Sequence, residues 1–203
     1  EVSEYPGDAT VTSFDYDEAK DRPLTHGREY TAEEMWDNYT YFIRAMVPVA
    51  EEAGVRMALH PDDPPVESLG GVARIFRNFE GFKRATEIVD SDYNGLEFCQ
   101  GCWAEMGEDV CAAIRYFAER GKIFYVHFRD VVGTVPNFRE AFIDSGDTDM
   151  YKAIRAYKES GFNGILIPDH VPHMVNDIRW SYIGRAYAIG YMKALLEMVN
   201  ADL

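Results

Sequence analysis

Four side chains able to bind a metal, His60, Cys99, His127 and Asp169, each close a short apolar run. The first is followed by Pro61-Asp62-Asp63-Pro64-Pro65, and proline, which has no N–H to donate, stops a strand where this polar chemistry begins. A lone histidine at a strand end more often makes a structural hydrogen bond than a metal bond, so the weight falls on convergence. Should the four ends meet at one rim, two imidazoles, a thiolate and a carboxylate would form a site for a divalent ion with positions left open. That mixed soft and hard set suits Fe(II), Zn, Co or Mn better than Mg or Ca. Asp62 and Asp63 read either as turn residues bonding their own backbone or as carboxylates that orient His60.

The elements needed to bring the four together are legible around them. Thr31 followed by Glu34 forms a capping box, and Met35, Tyr39, Phe42, Met46 and Val49 recur at helical spacing up to Gly54. Strands are expected near residues 55–60, 95–99, 123–128 and 164–168. Helices are expected over residues 72–89, with a break near 78–81, and over 108–120, 147–160 and 176–199; residues 101–107 and 130–146 read as loops. Short strands that are apolar throughout and alternate with helices imply a parallel sheet covered by helices, whose ligand site lies at the carboxyl ends of the strands. The fold class is therefore α/β, of the (β/α)8 TIM-barrel type. About four βα units are present where the whole barrel takes eight and roughly 250 residues. Residues 1–30 are read as an irregular N-terminal segment, with a short β-prone piece at residues 10–14, and 31–203 as the C-terminal half of a barrel domain.

The composition agrees with one globular core: 203 residues, 47% hydrophobic. A net charge of −15 argues against nucleic acid or an anionic membrane surface as a partner. No apolar run approaches the roughly 18 to 20 residues of a membrane span and no basic-then-apolar leader opens the chain, so a soluble, cytoplasmic protein is expected. The three cysteines are too few and odd in number for a disulfide framework. Cys99 and Cys102 form a C-x-x-C with no second pair to complete a structural zinc site. Cys111 reads as a core residue. The chain does not begin with Met, and Glu1 is not expected to be the natural start.

His60-Pro61-Asp62-Asp63-Pro64-Pro65, Gly95-Leu96-Glu97-Phe98-Cys99, Val126-His127-Phe128-Arg129-Asp130-Val131, Gly146-Asp147-Thr148-Asp149-Met150-Tyr151 and Pro168-Asp169-His170 stand in the order seen in mannonate dehydratases. From about residue 54 onward the chain resembles that family. The resemblance implies a xylose-isomerase-like barrel that dehydrates D-mannonate to 2-keto-3-deoxy-D-gluconate with Mn(II) or Fe(II), as in hexuronate catabolism. It implies metal ligands at His60, Cys99, His127 and Asp169.

Such a lyase must take the proton α to a carboxylate while a hydroxyl leaves the next carbon, which calls for charge stabilisation and a proton donor. His170 and Tyr182 are the candidates for proton transfer, and Arg129 for a paired contact with the substrate carboxylate. Arg129 and Asp130 could instead pair with each other. The chain departs from the family pattern at Ile143, Ile167 and Val171, where His, Arg and Gly are usual, changes expected to act on specificity more than on metal binding. Other readings are a sugar isomerase or epimerase on the same barrel, or a non-catalytic half-barrel. The small-molecule partner expected is a sugar acid, and because half a barrel exposes two sheet edges, pairing with an N-terminal half or with a second copy is expected too.

Overall fold

A computed structural model describes residues 2–5, 7–178 and 180–202. Its elements in chain order are β1 (Val2–Tyr5), β2 (Ala9–Asp15), α1 (Tyr16–Ala19), α2 (Ala32–Ala53), β3 (Met57–Leu59), β4 (Ser68–Leu69), β5 (Val72–Ala73), α3 (Phe79–Glu87), β6 (Asn94–Cys99), α4 (Gln100–Glu105), α5 (Val110–Ala118), β7 (Ile123–His127), β8 (Val131–Thr134), β9 (Asn137–Glu140), α6 (Met150–Glu159), β10 (Ile165–Ile167) and α7 (Tyr182–Asp202).

Local chemistry sets the helix starts. Thr31 Oγ1 accepts the Glu34 N–H at 3.2 Å and the Glu34 carboxylate accepts the Thr31 N–H at 2.9 Å, the reciprocal capping box that opens α2. Gly54 closes it in the left-handed region at φ 66°, where a side chain would be strained. Asn78, Asp109 and Asp149 cap α3, α5 and α6 through their side chains.

The four expected strands form one parallel sheet in the order β10-β7-β6-β3. This is the α/β arrangement of half a TIM-type barrel. Its register sets Leu59 beside Leu96, Cys99 beside His127 and His127 beside Ile167. All six residues of β6 are buried. Behind it Phe98 stacks on Trp103 with ring centres 4.9 Å apart and planes within 6°, and Phe82 and Phe117 pack on the same indole. Burying each such ring contributes roughly 1.5–3 kcal/mol, which makes β6, α4 and α5 the anchor of the sheet. The outer strands β3 and β10 each pair on one side only among the described residues. Val55, two residues before β3, and Ile165, within β10, are exposed.

The structure departs from the sequence reading in several places: the helix expected over 72–89 begins only at Phe79, with Asn78 as its cap where a break is expected and the short strand β5 before it, and the helix expected from 176 begins at Tyr182. The segment 1–30 is not irregular: β1 and β2 form a hairpin, and β2 pairs antiparallel with β9. The expected loop 130–146 supplies β8 and β9, completing a four-stranded antiparallel sheet β1-β2-β9-β8. β2 takes in the β-prone residues 10–14, whereas β9 lies in a stretch too polar to read as a strand alone, and their pairing joins Phe14 to Phe138 across the chain. Most of the stretch 101–107, expected as loop, belongs to the short helix α4 (Gln100–Glu105). No helix among the described residues is long and apolar enough to cross a membrane.

Candidate metal centre

The parallel register brings the expected ligands to one rim. Single donor atoms of His60, Cys99 and His127 lie within 4.8 Å of one another. Asp169, two residues past β10, brings Oδ2 to 3.2 Å from His127 Nδ1. Asp169 holds φ 31°, a left-handed backbone that a non-glycine residue adopts at a cost of about 1–3 kcal/mol. His60 Nδ1 lies 2.6 Å from the Pro61 carbonyl, the contact expected of a ring N–H, which leaves Nε2 for a ligand. Asp62 and Asp63 do not orient this ring. Asp62 accepts the Phe76 N–H and pairs with Arg74, while Asp63 pairs with Arg129.

Glu97 joins the same centre. Its carboxylate stands 3.2 Å from His60 Nε2 and 3.3 Å from His127 Nδ1, and it accepts the His127 backbone N–H at 3.1 Å. The sequence signal for it was an acidic residue between Leu96 and Phe98 in an otherwise apolar strand, where a carboxylate is buried only with partners.

The electrostatics of this rim call for a cation. Burial opposes ionisation of Cys99, but the Cys102 thiol, the Arg129 guanidinium and the two imidazoles hold its thiol well below the usual range. Burial alone would lower both histidines, yet Cys99 and Glu97 pull His60 up to about 9, and Asp169, Cys99 and Glu97 pull His127 up to about 10. Burial, then the Cys99 charge, pushes Glu97 up to about 7. His127 Nδ1 and Glu97 Oε2 are buried without a directed hydrogen bond. Three anionic groups around two imidazoles, with a ring nitrogen left unbonded, fit a divalent ion in chemistry and in spacing.

A second layer lies directly beneath. Arg129 is 1% exposed. Its Nη1 donates at 2.8 Å to both Glu105 and Glu140, its Nη2 at 2.9 Å to Asp63 and at 3.2 Å to the Cys102 sulfur, and its Nε at 3.3 Å to the Cys99 sulfur. The guanidinium expected to meet a substrate is instead spent inside the protein, and it does not pair with Asp130, which accepts the Val131 and Thr148 N–H groups. Gly101 makes room for it, since a Cβ there would fall 2.5 Å from Nη1.

Beside Asp169 opens a cavity of about 330 Å3 onto which His170 faces. His170 Nδ1 lies 2.8 Å from Glu140 Oε1. Tyr182 is 59% exposed at the first turn of α7 and does not line that cavity; Trp180, Ser181 and Arg185 do. Of the departures from the family pattern, Ile143 is buried in the core, Ile167 ends β10, and Val171 lines the cavity.

The sequence model of one family, described as D-mannonate dehydratase (UxuA), matches residues 16–202. The chain belongs to the mannonate dehydratase family. It is 37% identical over 147 residues to mannonate dehydratase 2 of Halalkalibacterium halodurans, covering 70% of this chain and 42% of that one. It is 39% identical over 183 residues to the mannonate dehydratase of Streptococcus agalactiae serotype III, covering 84% and 51%. The chain thus spans about half the length of the curated relatives it matches. The crystal structure of the Streptococcus suis serotype 2 mannonate dehydratase superposes with a TM-score of 0.84 at 30% identity, over 97% of this chain and 60% of that one. A D-tagatose 3-epimerase-like protein shares the fold at a TM-score of 0.66 and 20% identity. The Gly146–Tyr151 motif makes structural bonds in this chain: Asp147 accepts the Gly133 N–H, the Thr148 N–H donates to Asp130, and Asp149 caps α6.

Proposed function

We propose that this chain carries the metal-binding half of a sugar-acid hydro-lyase that converts D-mannonate to 2-keto-3-deoxy-D-gluconate. The observation that carries the reading is the meeting of His60, Cys99, His127 and Asp169 at one rim in a chain of this family. Those four residues would hold Mn(II) or Fe(II). When bound, the ion supplies Lewis-acid stabilisation of negative charge on substrate oxygen. Residues of the chain do the rest. His170, fixed through Nδ1 by Glu140, is the group we assign to proton transfer, with Nε2 turned to substrate. Loss of the C2 proton forms the C2=C3 bond as the C3 hydroxyl departs, protonated, as water. The resulting enol becomes the 2-keto acid by proton return at C3. Tyr182, outside the cavity, has no part in this scheme.

The open edges β3 and β10 and their exposed apolar neighbours support pairing with four further βα units, from an N-terminal half or a second copy. Three free cysteines suit a reducing cytoplasm.

The test is formation of a 2-keto-3-deoxy acid from D-mannonate by the whole natural protein with Mn(II) or Fe(II). His170→Asn should lower kcat by about 10²- to 10⁴-fold with metal content unchanged. No product from a panel of hexonates and pentonates would refute the reading, and aldose–ketose exchange would replace it with an isomerase.

A further inference from the structure

We propose that Arg185, facing the cavity beside Asp169, binds the carboxylate of the acid substrate, and that the N-terminal strand β2 lines the same space. The inference rests on the sugar-acid reading above and says which residues recognise the acid.

An anionic ligand entering a chain of net charge −15 needs a local cation. The guanidinium nearest the candidate metal centre cannot provide it, because Arg129 is buried and already faces Asp63, Glu105 and Glu140. Of the described residues lining the cavity, Arg185 alone carries a guanidinium or ammonium group. Its Nε donates to the Trp180 carbonyl at 3.0 Å, and its own backbone N–H donates to the Ser181 carbonyl at 2.8 Å. These bonds fix the root of the guanidinium. Among the described residues its Nη atoms pair with no carboxylate, so the planar fork is available for two parallel bonds to a carboxylate.

The cavity's other charged groups do not compete for that fork. Glu140 is held by Arg129 and His170, and Asp169 by His127. β2 supplies another part of the lining, through Thr10, Val11 and Thr12, and the two threonines bring hydroxyls suited to a polyhydroxy chain. The strand is fixed there from both sides. Thr10 and His173 exchange backbone hydrogen bonds at 2.9 and 2.8 Å, and Ser13, Phe14 and Asp15 pair with β9. About 330 Å3 is ample for a six-carbon acid.

The test uses the whole natural protein loaded with Mn(II). Binding of D-mannonate and of its neutral amide is measured by calorimetry at low temperature, beside steady-state turnover, for the wild type, Arg185→Gln and Arg185→Lys. Arg185→Gln should weaken binding of the acid and raise KM by about 10- to 100-fold, leaving affinity for the amide and metal content unchanged. Arg185→Lys should recover part of the loss, since it restores charge without the fork. An equal loss for acid and amide would assign Arg185 a purely structural role and overturn the proposal, as would acid binding unaltered in Arg185→Gln. If the wild type binds the acid in an Arg185-dependent way but forms no keto acid, the dehydratase reading fails while carboxylate recognition stands.

Discussion

Two clusters of similar composition lie one above the other in this chain, and they differ in what neutralises them. Asp63, Cys102 and Glu105 present donor atoms as close together as His60, Cys99 and His127 do, all within 4.8 Å. Spacing alone would nominate both for a metal. The lower cluster, however, already contains a cation: the Arg129 guanidinium bonds to Asp63, Glu105 and the Cys102 sulfur, and reaches up to Cys99. The upper cluster meets that guanidinium only through its Nε, 3.3 Å from the Cys99 sulfur and 3.7 Å from Asp169, and otherwise sets its own imidazoles against Cys99, Glu97 and Asp169, so both imidazoles are pulled far toward the protonated form. What distinguishes a metal site from a structural ion network is therefore which cation completes the charge, and Arg129 serves both by completing one and shaping the thiolate of the other.

The sharpest way to break this comparison is to remove the lower cation. Arg129→Met takes the guanidinium from Glu105 and Glu140, both nearly inaccessible to water, and from Asp63, leaving Glu140 with His170 alone and Glu105 with no donor. Deleting one partner of a buried ion network costs on the order of 3–5 kcal/mol. Urea denaturation should show a loss of that size, and adding Glu105→Gln to the same chain should recover part of it. A single variant within about 1 kcal/mol of the wild type would mean that the network is held together by something other than Arg129.

The next contrast sets the two cysteines against each other. Cys99→Ser should release the metal, measured as metal per chain after dialysis, because a hydroxyl is not ionised near neutral pH as the depressed Cys99 thiol is. Cys102→Ser should keep it. Burial, then the neighbouring Cys99 thiolate, holds the Cys102 thiol well above its usual range, so it serves as a neutral neighbour. Loss of metal in both variants would merge the two layers into one site.

The upper cluster was legible in the sequence and the lower one was not, for a physical reason. His60, Cys99, His127 and Asp169 follow strands whose apolar runs, and whose helices with caps at Thr31 and Asp149, are encoded within a few residues, so topology alone aligns them. Arg129 has the composition of a surface residue. Its burial depends on carboxylates 66, 24 and 11 positions away, and no local pattern announces that. Glu97 is hidden in the same way, by the apolar strand around it. The sheet β1-β2-β9-β8 escapes a local reading because β2 and β9 are each marginal as strands and specify each other only in space. That sheet carries Glu140 to His170 and Thr10 to the cavity, so the part hardest to read shapes the substrate side.

The lower layer still carries more negative charge than one guanidinium offsets, and a proton should supply the balance. Burial pushes Glu105 up to about 8, more than the Arg129 charge pulls it down, with Asp63 and Cys99 adding to the rise. A carboxyl group whose folded pKa stands above its unfolded value of about 4.3 favours the folded state in its protonated form. The stability it contributes is full below about pH 4 and declines as pH rises toward 8, with a slope approaching ~1.4 kcal/mol per pH unit where the folded chain holds one proton more than the unfolded chain. Urea midpoints measured between pH 5 and 8 should fall accordingly in the metal-loaded protein. Glu105→Gln keeps the shape without the titration and should flatten that slope by about one proton. An unchanged slope in the glutamine variant would place the extra proton elsewhere in the layer and leave Glu105 ionised against Arg129.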